Sequence, residues 1–123
     1  GHETILLVED EPSILQMTGH MLESLGYVVI PAGSPGAAIR MAKTHPGKIH
    51  LLMTDIIMPE MNGRDLANHV LALHPNIHRL FMSGYSADLI ARQGGIDSSV
   101  HFIEKPFSMN EMAAKVRKAL EEE

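Results

Sequence analysis

Short apolar runs alternate along the chain with segments whose apolar residues recur at helical spacing. Ile5 to Val8 is the first run, and Ile14, Met17, Met21, Leu22 and Leu25 follow at helical intervals, closed by Gly26 as a helix stop. Val28 to Ile30 is a second run, ended by Pro31. Ser34 and Pro35 supply an N-cap and a first-turn proline for a helix carrying Ala38, Met41 and Ala42, which stops at His45-Pro46-Gly47. Ile49 to Thr54 is the third run. After the loop MPEMNG, Leu66, Val70 and Leu73 mark a third helix, which ends before Pro75 because proline pushes the preceding residue out of the helical region. Leu80 to Met82 is the fourth run, Ser86 to Gln93 a short fourth helix ended by Gly94-Gly95, and Val100 to Ile103 the fifth run. Ser108 caps a last helix. Its apolar face is Met109, Met112, Ala113, Val116 and Leu120, with Lys115, Arg117 and Lys118 toward water near a C-terminus that favours cations.

The runs are apolar on both faces, which is how parallel strands covered by helices on both sides read. Five strands and five helices in alternation predict an α/β fold, a single doubly wound (βα)5 domain on a parallel five-stranded sheet. Right-handed crossovers point every strand the same way, so residues that end strands arrive at one edge. Glu9 and Asp10 follow the first run, Asp55 the third, Ser83 the fourth and Lys105 the fifth. The second run offers only Pro31, which makes it the edge strand in the order 2-1-3-4-5, with a ligand site where the strand order reverses.

A chain of 123 residues has room for one domain. We read residues 1–3 as an N-terminal extension or cloning remnant and residues 4–121 as the domain. With 45% hydrophobic and 20% charged residues the composition is that of a folding globular chain. The net charge of -5 argues against a grip on nucleic acid or anionic membrane, both of which need clustered Lys and Arg. Any DNA contact would come from another chain. The absence of Cys removes disulfides, thiol chemistry and thiolate metal sites. No apolar stretch approaches the roughly 20 residues that span a bilayer, and the first residues lack the blocks of a signal peptide, so a cytoplasmic location is expected.

Carboxylates gathered in one crevice repel: at about 4 Å and an effective dielectric of about 20, each pair costs roughly 4 kcal/mol. Something positive must compensate. Ligation by carboxylate oxygen without His or Cys suits a hard cation, and a small site that shares its ligands with a phosphoryl group favours Mg²⁺ over Ca²⁺. Lys105 is the second counter-charge. The arrangement suits conversion of Asp55 to an acyl phosphate, with the cation and Lys105 neutralising phosphoryl oxygens while the carboxylate attacks in line.

The same residues carry a resemblance that covers the whole chain. ILLVEDE, the Asp55 of LLMTDIIMPEMNG, FMSGYSA and FIEKPF, in this order and spacing, resemble the receiver domain of two-component response regulators. The resemblance implies a flavodoxin-like fold. It implies that Asp55 accepts phosphate from a histidine kinase or a histidine phosphotransfer domain, and that Asp10, Asp55 and the backbone carbonyl of Ile57 bind Mg²⁺, with Glu9 helping directly or through water. It further implies that Ser83 hydrogen-bonds the phosphoryl group, that Lys105 pairs with it, and that the Lys105-Pro106 bond is cis. Such a domain is not an enzyme in its own right, although it assists its own phosphotransfer and autodephosphorylation.

In the family the hydroxyl residue moves toward the phosphate and an aromatic residue swings inward behind it. Here these are Ser83 and Phe102. Phe102 stands where tyrosine is frequent, so the inward rotamer lacks a hydroxyl and the switch rests on packing. The output would be a changed surface of the fourth helix, fifth strand and fifth helix, offered to a downstream protein. Ile57 and Tyr85 flank the approach of hydrolytic water, and an apolar Ile57 cannot orient that water, which predicts slow autodephosphorylation. ETILLVEDE and FMSGYS are similar to receivers at the C-terminus of hybrid sensor histidine kinases, a stand-alone single-domain regulator and a domain of a transcription factor being the alternatives, whereas GGIDSSVHFIEKPF departs from the charged pattern of receivers that dimerise to drive winged-helix DNA binding.

Plainer readings compete at several positions. A pseudo-receiver, an interaction module of the same fold that works without phosphorylation, is the principal alternative; a small phosphatase or nucleotide binder lacks a Walker loop or Gly-rich phosphate turn. Glu11 reads as favourable charge at a helix N-terminus. His74 and His78 read as surface residues, the methionines Met17, Met21, Met109 and Met112 as core filling, and Gly63 as a site of unusual backbone angle.

Overall fold

The computed structural model describes residues 2–86 and 100–121 of the chain. In chain order its elements are β1 (Thr4–Val8), α1 (Pro12–Ser24), β2 (Val28–Ala32), α2 (Pro35–Thr44), β3 (Leu51–Asp55), α3 (Gly63–Leu73), β4 (His78–Ser83), β5 (His101–Glu104) and α4 (Met109–Glu121). The helix expected from Ser86 to Gln93 and its Gly94-Gly95 stop lie outside the described residues, Ser86 excepted. The five strands pair in parallel in the order β2-β1-β3-β4-β5, as the placement of polar residues at strand ends implied. Among the described residues no helix is long and apolar enough to cross a membrane.

Because side chains alternate across a strand, each buried strand feeds two cores. Leu6, Val8, Leu52 and Phe81 pack on one face with Ala38 of α2 and with Leu66 and Val70 of α3. Ile5, Leu7, Leu51, Met53, Leu80 and Met82 pack on the other with Leu22 of α1 and with Met112 and Val116 of α4. The central strands therefore need apolar residues at every position, which is why they read as unbroken runs. The edge strand β2 is different. It continues through Pro31 to Ala32, past the predicted stop, with Pro31 opposite Leu7. An edge strand needs ladder donors on one side only, so a proline is tolerated there.

The helix ends follow local chemistry. Ser34 accepts a hydrogen bond from the Ala37 N–H at 3.1 Å, and Asn62 caps α3 by accepting from Asp65 N–H at 2.9 Å. Gly26 ends α1 at φ 95°, the left-handed conformation that glycine adopts without a Cβ penalty. There Tyr27 N–H reaches Leu22 O and Gly26 N–H reaches Glu23 O, the paired bonds of a Schellman ending. Ser108 and Glu111 form a capping box at α4: Glu111 N–H donates to Ser108 Oγ at 3.1 Å, and Ser108 N–H donates to Glu111 Oε1 at 2.9 Å.

Three expectations about side chains are corrected. His74 is not a free surface residue: its Nε2–H donates to Ala42 O at 2.8 Å and ties the end of α3 to α2. Arg117 does not simply face water. It lies 2.6 Å from Glu3 Oε2, joining α4 to the start of β1, and its guanidinium holds the Glu3 carboxyl down at about 2. The methionines divide, because Met112 is fully buried whereas Met17 is 55% and Met109 38% exposed. In α1 the buried positions are Thr18, Gly19 and Leu22. Gly19 sits close to the sheet, where an added Cβ would meet Val29 and Leu7 at ordinary contact distance, while Met17 faces outward.

Replacing Ser108 with Ala removes one half of the capping box and is expected to lower stability by about 1 kcal/mol in urea unfolding. An unchanged midpoint would show that the box contributes nothing.

Candidate phosphoacceptor site

Asp55 is the last residue of β3 and Ser83 the last of β4. Both are buried, at 3% and 4% exposure, as is Glu9 one residue past β1 at 2%. Asp10 is exposed beside them. One carboxylate oxygen each from Glu9, Asp10 and Asp55 falls in a cluster whose members all lie within 4.8 Å of one another. Lys105, one residue past β5, reaches across this edge. Its Nζ stands 2.7 Å from Asp55 Oδ1 and 2.7 Å from Glu9 Oε2, one ammonium bridging two buried carboxyl groups. The Lys105-Pro106 bond is cis, as the resemblance implied.

The backbone fixes these groups. Lys105 N–H donates to Ser83 O at 2.7 Å, Ile56 N–H to Met82 O at 3.0 Å, and Glu9 N–H to Ala32 O at 3.2 Å, each extending the sheet ladder past the strand's end. Glu9 Oε1 also accepts from Glu11 N–H at 3.1 Å. Ser83 Oγ accepts from Tyr85 N–H at 3.0 Å, which leaves its own O–H free to donate. Thr54, wholly buried, donates its hydroxyl to the Asp55 carbonyl at 3.0 Å.

Gly63 is corrected in its role. Its φ is not positive, since Gly26 alone among the described glycines has that conformation. What Gly63 supplies is space: its N–H donates to Ile56 O at 2.6 Å, and a Cβ there would collide with the Asp55 carbonyl oxygen. Thr54 and Gly63 thus position the acid from behind. Neither was singled out for this, because contact with a backbone carbonyl leaves no periodic or motif signal in the sequence.

A cavity of about 200 Å³ opens over the cluster, lined by Asp10, Asp55, Ile57, Ser83, Tyr85 and Lys105 among others. Ile57 and Tyr85 form an exposed apolar rim, at 54% and 53% exposure. Phe102 lies in β5 opposite Phe81 and packs half-buried against the α2 and α3 core.

The electrostatics are those of a crowded acid pair. Burial, and then the adjoining Glu9 carboxyl, push Asp55 up to about 8 even with Lys105 opposing the shift. Burial would also raise Glu9, but hydrogen bonds to Asp55 and Lys105 outweigh it and hold Glu9 below the usual range. Burial would lower Lys105, yet its bonds to Asp55 and Glu9 raise it, so the ammonium stays charged. Near neutrality the bridge of Glu9, Lys105 and Asp55 therefore holds one carboxylate, one ammonium and one proton on Asp55. Three oxygen donors from carboxyl groups, two of them buried and one a proton carrier, fit a hard divalent cation that would displace the proton.

This fold and this edge define a receiver domain of two-component signalling. The Response regulator receiver domain family matches residues 5–117, and the chain belongs to it. It is 36% identical over 123 residues to the sensor kinase CckA of Brucella abortus (strain 2308), covering all of this chain but 13% of that protein. It is 28% identical to the response regulator receiver protein CpdR of the same organism, covering 94% of this chain and 95% of CpdR. The crystal structure of the receiver domain of the hybrid histidine kinase CckA superposes with a TM-score of 0.80 at 29% identity, covering 96% of this chain and 99% of that one.

Two variants test the site's construction. Relative to its ordinary value of 3.8, the raised Asp55 carboxyl favours the folded state below that value and loses this contribution as pH climbs through about 8. Metal-free Asp55→Asn protein should therefore match wild type at about pH 4 and melt higher than wild type at about pH 8. Equal melting at both pH values would contradict the burial argument. Gly63→Ala should cost about 1–3 kcal/mol through the forced shift of the Asp55 carbonyl, read by urea unfolding, and a neutral effect would remove Gly63 from the account.

Proposed function

We propose that the domain is a phosphoacceptor in a two-component phosphorelay. An Asp55 carboxylate oxygen attacks the phosphorus of a phosphohistidine on a histidine kinase or histidine phosphotransfer domain. An O–P bond forms, the P–N bond breaks, and the imidazole nitrogen leaves with its electron pair. The observation that supports this most is the buried Asp55 carboxyl held 2.7 Å from Lys105 at the open end of the sheet. Lys105 would pair with a phosphoryl oxygen, and the free Ser83 O–H would donate to another. Glu9, Asp10, Asp55 and the Ile57 backbone carbonyl would hold Mg²⁺, which when bound neutralises carboxylate and phosphoryl charge. Ser83 and Phe102 are the proposed switch, with a changed surface around β5 and α4 presented to a downstream protein.

The likeness to the sensor kinase CckA supports a place at the receiving end of a hybrid kinase in the cytoplasm, from which phosphate relays onward. The net charge of -5 gives this domain no electrostatic hold on nucleic acid, so an output through a protein partner fits best.

Acetyl phosphate with Mg²⁺ should add the mass of one phosphoryl group to the chain, and Asp55→Asn should abolish the gain. Ser83→Ala should slow the transfer by about tenfold or more, roughly 1.4 kcal/mol of transition-state stabilisation. Because Ile57 cannot orient water, the phosphorylated domain should persist for minutes or longer. A half-life of seconds would contradict the role given to Ile57, and no mass gain under any condition would favour a pseudo-receiver.

A further inference from the structure

Thr54 is a polar residue where the sheet offers apolar company. It is wholly buried in β3, opposite Val8 of β1 and Phe81 of β4 in the strand register, and valine would fill the same space with no hydroxyl to bury. A buried hydroxyl costs stability unless it is hydrogen-bonded. This one donates to the carbonyl of Asp55 at 3.0 Å, so its bond is made to the backbone of the phosphoacceptor itself.

The sheet does not serve that carbonyl. Ile56 N–H donates to Met82 O of β4, and across a trans peptide the Asp55 carbonyl points the opposite way, toward β1. The β1–β3 register has ended there, at Val8 opposite Thr54, and the N–H of Glu9 is turned to Ala32 O of β2. The Thr54 hydroxyl stands in for the missing strand donor. One peptide further on, Gly63 N–H donates to Ile56 O at 2.6 Å. The peptides on both sides of Ile56 are thus held, and only the two dihedrals of Ile57 separate this fixed backbone from the Ile57 carbonyl.

We infer that Thr54 is a positioning residue that sets the preference of the site for Mg²⁺ over Ca²⁺. The inference rests on the metal site proposed above, in which the Ile57 carbonyl is a ligand. Mg²⁺ demands near-octahedral geometry, whereas Ca²⁺ accepts its oxygens in flexible arrangements. A carbonyl carried by a fixed backbone meets the stricter demand, and loosening that backbone penalises Mg²⁺ while Ca²⁺ adapts. Thr54 itself touches neither ion, since its hydroxyl is committed to the Asp55 carbonyl behind the cluster.

Calorimetric titration of the full chain with magnesium chloride and with calcium chloride reads the preference without any phosphotransfer. Thr54→Val, nearly isosteric, should weaken Mg²⁺ binding by about tenfold, the scale on which groups that orient metal ligands act, and change Ca²⁺ binding by less than about twofold. Thr54→Ala should reproduce this split if valine proves too crowded to fold, and Thr54→Ser, which keeps the hydroxyl, should restore the wild-type preference. Equal losses for the two ions, an unchanged Mg²⁺ affinity, or a loss that serine does not restore would overturn the role given to Thr54 and leave the metal site standing. Wild-type protein that binds neither ion would overturn both.

Discussion

The structure turns on one ammonium serving two buried carboxyl groups. Lys105 lies 2.7 Å from both Glu9 and Asp55, and neither acid could be buried so deeply beside the other without it. Burying an ion is tolerated when it is paired and hydrogen-bonded, and removing one partner leaves an uncompensated charge. The bridge also connects the fold, because its three members come from the ends of β1, β3 and β5. The parallel sheet is what brings them together: right-handed crossovers send every strand to the same edge, and the ladder bonds past β1, β3 and β5 lock each strand's end before the side chains meet.

One ammonium does not fully satisfy the cluster. Asp55 keeps a proton near neutrality because its burial and the Glu9 carboxyl together exceed what Lys105 offsets. A protonated carboxyl is a poor nucleophile, so under the proposed function the site would be held back until more positive charge arrives, which the three oxygen donors within 4.8 Å of one another are placed to bind.

The backbone plan was legible because it depends on features that repeat. Unbroken apolar runs at β1, β3 and β4, helical spacing between them and polar residues at the run ends were enough for strand order and for bringing Glu9, Asp10, Asp55, Ser83 and Lys105 to one edge. What escaped depends on single contacts. Gly63 is needed for space against a carbonyl rather than for its backbone angle, His74 reaches a carbonyl 32 residues away, and Arg117 finds Glu3 across the length of the chain. The face of α1 was displaced because Thr18 and Gly19, a polar residue and a small one, occupy the buried stripe while Met17 turns outward. A hydropathy pattern credits the methionine and overlooks the glycine.

The central claim is that Asp55 is held protonated by its buried neighbours rather than ionised by Lys105. Carbon-13 NMR titration of the Asp55 carboxyl in metal-free protein tests it directly. The account predicts a midpoint of about 8, moved up by burial and Glu9, and a downward move when Glu9 is replaced by Gln. A midpoint at the ordinary 3.8, unmoved by that replacement, would contradict it.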